Sequence, residues 1–306
     1  MTHPRGASGT TTTAHRGRAE MDAILEPLSY GFFDRALAAA VLVGVACAIV
    51  GSYVVLKGLA FAGDAISHAA LPGVVVAFIL QAPVLVGAGV AAILTSVLIG
   101  VVSRRGRLRG DTAIGVLFAG MFALGVFLFS RIQGYVVDLF GLLFGNILAI
   151  SALELAGLGV LAIAVILIVG VFWKELLYAT FDPLGAAAAG LPVTRLEYLL
   201  LVLIAITIVA SIQAVGIILV VAMLVTPAAT AQLLTHRFLR MVAVAIIVSV
   251  AASVTGLYLS YWFDVPSGAT IVLVETGAFF VTLILAPRLG LRGGRRARPA
   301  ARANRP

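Results

Sequence analysis

Asp64 and His68 lie four residues apart inside an apolar stretch, in the pentad Asp64-Ala65-Ile66-Ser67-His68. On an α-helix that spacing puts both side chains on one face, so a carboxylate oxygen and an imidazole nitrogen can converge on one point. The stretch is apolar enough to enter a bilayer, where a central charge costs about 2.5–3.5 kcal/mol on insertion scales. A bound divalent cation is the simplest way to offset that cost. One oxygen and one nitrogen ligand suit manganese, iron or zinc. The competing reading is a buried Asp–His pair bonded to neighbouring helices, and spacing alone leaves both open. Two ligands are few for a tight site. A symmetric pair of chains would supply four, so a homodimer is expected.

The flanking residues set how this pair is presented. Gly63 precedes it and Leu71-Pro72-Gly73 follows. Pro72 removes a backbone donor and crowds the preceding turn, while Gly73 loosens the chain. A helix interrupted at membrane depth needs partners for its freed backbone groups, and such helices characteristically line cavities.

The chain around them is all-α and membrane-spanning. Of its 306 residues, 62% are hydrophobic and 11% charged, against about 25% charged in a soluble domain. The runs lack the alternation of an outer-membrane barrel. Apolar runs cover 33–56, 61–80, 83–103, 112–131, 152–173, 196–213, 215–235, 240–261 and 268–287. With about twenty residues needed to cross the hydrocarbon, eight or nine transmembrane helices are expected. The stretch 135–150, with Asp138, is too short to count and reads as interfacial or re-entrant.

Basic residues mark four loops: Arg104, Arg105, Arg107 and Arg109; Lys174 to Arg195; His236 to Arg240; and the Arg-rich C-terminus. Even numbers of spans separate them, so one topology places all four in the cytoplasm. Gln213 and Asp264 then fall outside and Lys57 inside, with the N-terminus outside if every run spans.

Residues 1–26 read as a disordered extension, with Met21 a more natural start; 27–288 as the transmembrane domain; and 289–306 as a basic cytoplasmic tail. That tail (Arg288, Arg292, Arg295, Arg296, Arg298, Arg302, Arg305) suits anionic lipid better than nucleic acid. Cys47 is the single cysteine, which excludes an internal disulfide and a thiolate metal cluster within one chain. No phosphate-binding glycine loop occurs, so any ATP would be hydrolysed by another chain.

Other segments carry weaker signals. Asp182-Pro183-Leu184-Gly185-Ala186-Ala187-Ala188-Ala189-Gly190 predicts a short cytoplasmic helix, with Asp182 as N-cap, Pro183 at its first position and Gly190 beyond its end. It is either a plain connector or a docking helix for a partner's groove. Thr226-Pro227 predicts a kinked span. Glu275, within the last run, is either a further metal ligand, a proton site or a buried carboxyl bonded to a neighbouring span. Asp138 and Glu154 read as interfacial, Asp111 as an N-cap, and His3, His15 and His236 carry no assignment.

Several segments, in order, resemble the permease subunits of ABC importers for manganese, zinc or iron, distant relatives of the cobalamin and iron-siderophore permeases. They are Gly51-Ser-Tyr-Val-Val-Leu-Lys57, Gly63-Asp64 through His68 to Gly73, Asp111-Thr-Ala-Ile-Gly115 and Leu143-Phe-Gly-Asn146. Then follow Phe181-Asp182-Pro183 to Leu191, Val215-Gly216 to Ala231, and Pro266-Ser-Gly-Ala-Thr270. The resemblance spans about residues 25–288. It implies a cobalamin-permease-like fold, a homodimer of permeases, two cytoplasmic ATPase subunits and an extracytoplasmic metal-binding protein. It implies that Asp64 and His68 are the intramembrane metal ligands, that residues 182–190 form the coupling helix, and that transported metal is the only ion held, with no permanent cofactor. Glu275 stands where the family pattern leads one to expect a small or apolar residue. A permease for a metal chelate or vitamin, with Asp64 and His68 structural, is the alternative. An intramembrane enzyme would need a nucleophile near Asp64, and Ser67 alone is a poor one.

Overall fold

A computed structural model describes residues 26–106, 110–131, 145 and 147–286. Arg107, Arg109, Asp138, Asn146, the extension before residue 26 and the Arg tail from 288 lie outside the described residues. Among those described there are helices and no strand. The helices are α1 Gly31–Leu56, α2 Ala60–Ala69, α3 Leu71–Ile79, α4 Val84–Arg105, α5 Gly110–Phe129, α6 Ala152–Val171, α7 Trp173–Phe181, α8 Pro183–Ala188, α9 Val193–Leu234, α10 Phe238–Phe263 and α11 Ser267–Leu285. Nine segments among the described residues are long and apolar enough to cross a membrane, with α2 and α3 forming one and α9 forming two. This is the upper of the two expected numbers.

The interruption predicted at Leu71-Pro72-Gly73 is slight. Only Ala70 separates α2 from α3, with φ −67° and ψ −24°, and Pro72 sits in the first turn of α3, where its missing N–H leaves no gap. Gly73 serves a different purpose from loosening the chain. A Cβ built on it would lie 2.0 Å from the Gly87 carbonyl oxygen of α4, so the two backbones touch there. The bend expected near Pro227 also falls elsewhere. Gly216 is the non-helical residue within α9, at φ 79° and ψ 167°, a region open to glycine alone. Gly145 packs against it, since a Cβ there would come within 2.3 Å of the Val215 backbone.

α1 and α9 form the centre, and α4, α6, α10 and α11 pack around them; α2 and α3 join α4 and α5 at one side. Gly51 lets α1 approach α9 so closely that a Cβ would lie 1.8 Å from the Leu224 carbonyl oxygen. Hydroxyls within the spans turn back onto their own helices, as Ser52 does to Ala48 O and Thr207 to Leu203 O. That satisfies them without water.

Contacts sort the loops to two ends. At one, Glu197 pairs with Lys57 and Arg104, the Tyr53 hydroxyl donates to Trp173 O, and the Tyr53 ring meets Phe238. At the other, Arg35 Nε donates to Ile150 O, and Phe33 packs edge-on to Tyr258 and Tyr261. Nine alternating spans require this partition.

Candidate functional site

α2 carries the Asp64–His68 pair. Its buried face consists of Ala62, Gly63, Ala65, Ile66, Ser67 and Ala69, which seats the helix against α9 and α5 and leaves one stripe only partly covered. Asp64 and His68 occupy that stripe. His68 Nε2 lies 3.5 Å from Asp64 Oδ1, with the His68 side chain 25% exposed and that of Asp64 35%. At 1.5 Å per residue, Asp64 is about 6 Å and His68 about 12 Å along the span from Ala60. Both therefore stand at membrane depth, each partly covered by the rest of the chain.

Two aromatic residues of α5 hold the imidazole. Phe118 and Phe122 each meet His68 edge to face, at 5.5 and 5.6 Å between ring centres, and they stack on each other at 6.0 Å. Phe61 closes on Phe118 from α2. The ring is thereby turned so that Nε2 addresses the carboxylate. The sequence did hold a signal for this: Phe118 and Phe122 repeat the four-residue spacing of Asp64 and His68. Ser67 points the other way, 1% exposed, its hydroxyl donating to Gly63 O at 2.8 Å. It cannot serve as a nucleophile beside Asp64.

No third His, Cys, Asp or Glu joins the pair among the described residues. Glu275 is elsewhere: α11 packs on α9 and α10, and the carboxyl lies within electrostatic reach of Cys47 on α1. The pair can hold a cation with one oxygen and one nitrogen, and needs further ligands beyond those that the described residues place beside it to close a coordination sphere.

The 182–190 segment forms the short helix its sequence predicts. Gly185 N–H donates to Asp182 Oδ1 at 2.8 Å, and Pro183 opens α8. Gly190, at φ +83°, ends the turn, and Leu191 N–H donates back to Ala186 O at 3.0 Å. Ala186 is the buried residue of this helix, while Leu184 is 85% and Phe181 64% exposed. A capped helix presenting one large apolar side chain, with Phe181 exposed beside it at the end of α7, is suited to bind another protein. Glu154 acts as a cap: its carboxylate accepts from Ser151 N–H at 2.9 Å, and Ser151 Oγ accepts from Glu154 N–H. The Lys57–Glu197–Arg104 cluster was not foreseen, because its members are far apart in sequence.

The sequence model of the ABC 3 transport family matches residues 29–286. The chain is 45% identical over 265 residues to a manganese transport system membrane protein, MntC, of Halalkalibacterium halodurans, covering 86% of this chain and 90% of that one. It is 46% identical over 261 residues to the chelated iron transport system membrane protein YfeD of Yersinia pestis, covering 85% and 88%. Among solved structures, PsaBC from Streptococcus pneumoniae superposes with a TM-score of 0.78 at 37% identity, covering 90% of this chain and all of that one. An inward-facing metal-chelate type ABC transporter shares the fold, with a TM-score of 0.64 at 15% identity.

Proposed function

The chain belongs to the ABC 3 transport family, and from that premise we propose that it imports divalent transition-metal ions as the permease of an ATP-driven transporter, using Asp64 and His68 as the transient ligands. It is a transporter subunit rather than an enzyme, and it works with a separate ATPase and a substrate-binding protein. The observation that carries the site assignment is the exposure of the pair. A carboxylate and an imidazole at membrane depth, 35% and 25% exposed on the single chain, would face lipid unless something covers them. A second copy, related by a two-fold axis beside α2 and α5, covers them and brings four ligands to one point.

Oxygen and imidazole nitrogen without thiolate hold manganese, zinc or iron loosely enough for release, as conduction requires. The binding protein delivers the ion at the end carrying Asp264. The ATPase dimer grips Leu184 of α8 and Phe181 at the end of α7, and its closure rocks the spans about the site. The names of the relatives favour manganese or iron as cargo.

The test is metal uptake by the assembled transporter in lipid vesicles. Asp64→Ala and His68→Ala should each abolish uptake while the permease still inserts and binds its ATPase. Wild-type uptake in either variant would overturn the site.

A further inference from the structure

Glu275 is on α11, eight residues from Ser267 and ten from Leu285, close to the middle of its span. It is 0% exposed, and neither carboxyl oxygen has a hydrogen-bond partner among the described residues. Antiparallel packing fixes its level. A Cβ on Gly256 of α10 would lie 2.7 Å from Ile271 Cα, so one turn further on Glu275 stands beside Ala252 and Ser253. A Cβ on Gly44 of α1 would meet Ser249 Oγ at 2.7 Å and Ser253 Oγ at 3.5 Å. One turn along α1, Cys47 contacts Ser211 of α9 and lies within electrostatic reach of Glu275. Ser249 Oγ is likewise buried without a partner.

The polar groups that the described residues bring toward this carboxyl are thus hydroxyls and one thiol. The charged residues of the packed elements stand at the helix ends: Asp34 and Arg35 on α1, Arg195 and Glu197 on α9, Arg240 on α10. Tyr53, Tyr198, Tyr258 and Tyr261 lie within the terminal two turns of theirs, and the turn Ile147–Ala149 contributes no ionisable group. A carboxylate anion here would be dehydrated with no counter-charge. Two ionisable groups, Cys47 and Glu275, are too few for a divalent ion.

We propose that Glu275 is an intramembrane proton-binding site: the neutral acid keeps α11 seated on α9 and α10, and loss of its proton unseats it. The site is separate from Asp64 and His68 and does not depend on their role.

The experiment is infrared spectroscopy of the full transporter, permease with its ATPase, in lipid nanodiscs, alongside uptake measured across pH. The wild type should show a protonated-carboxyl band throughout the neutral range that is missing from Glu275→Gln. Its uptake should fall reversibly as the pH turns alkaline, and the Gln variant should keep its uptake there. Absence of a band difference at neutral pH overturns the proposal. So does manganese binding at one equivalent per chain that Glu275→Gln loses and Asp64→Ala retains, which would make Glu275 a metal ligand. Should the Gln variant fail to assemble, Glu275→Asp replaces it: its acid band shifts in frequency, and an unshifted spectrum overturns the assignment.

Discussion

Phe118 and Phe122 decide which way His68 faces, and that makes them positioning residues for any ion the pair holds. Their edge-to-face contacts at 5.5 and 5.6 Å bracket the imidazole, whose Nε2 stands toward Asp64. A smaller side chain at 122 frees the ring to rotate. Outer groups that orient a ligand are commonly worth about 10–100-fold in metal affinity or activity. Phe122→Ala is therefore expected to weaken metal uptake by roughly tenfold, mainly through the apparent affinity for metal. Phe122→Tyr keeps the ring and should stay close to wild type. Concentration-dependent uptake in vesicles separates the two effects. An Ala variant with unchanged affinity would show that α2 alone orients the histidine.

Between elements, the crossings depend on missing side chains. Gly51→Ala would drive a Cβ to 1.8 Å from the Leu224 carbonyl oxygen, which belongs to backbone and cannot turn aside. Overpacking of this kind costs about 1–3 kcal/mol or more, so the variant should show a clearly lower melting temperature in detergent, whereas Gly115→Ala, with nothing within 4 Å of its Cβ, should not. At α8 the expectation divides by face. Asp182→Ala removes the cap to Gly185 N–H and should cost about 1 kcal/mol of local stability. Leu184→Asp, at a side chain 85% exposed, should leave the fold intact and lower ATPase binding, read by co-purification. The α8 helix was legible because Asp-Pro and Gly are local signals whose effect is complete within six residues. The Asp64–His68 pair was legible for the same reason, being one helical turn long. The bend of α9 was not: Pro227 was the conspicuous residue, yet the break falls at Gly216, where Gly145 arrives from a distant loop. Glycine crossings, the Phe clamp and the Lys57–Glu197–Arg104 cluster are likewise products of tertiary approach, which a one-dimensional pattern does not carry.

For the molecule as a whole, the uneven covering of the helices argues for what surrounds it. α1 and the second half of α9 are 67% buried, whereas α5 is 17% buried. Low burial by itself suits lipid, and α6 and α11, at 22% and 17%, need nothing else. α5 differs because it borders a carboxylate and an imidazole that lipid cannot solvate. A second copy packing there explains both features, and lipid explains only one. If so, a cysteine on the α5 face should lie close to its counterpart across the two-fold axis. In a Cys47→Ala background, which removes the one native thiol, Phe122→Cys should cross-link between chains with a short bifunctional maleimide in native membranes. Leu167→Cys, 62% exposed on α6, should not. Addition of transportable metal before cross-linking, at a level that offsets the roughly tenfold weaker affinity expected once Phe122 is replaced, should change the Phe122→Cys yield, because an ion held between two Asp64–His68 pairs draws the α2 helices together. Cross-linking at 167 in preference to 122 would move the dimer axis to α6, and would leave Asp64 and His68 as half-sites that never meet.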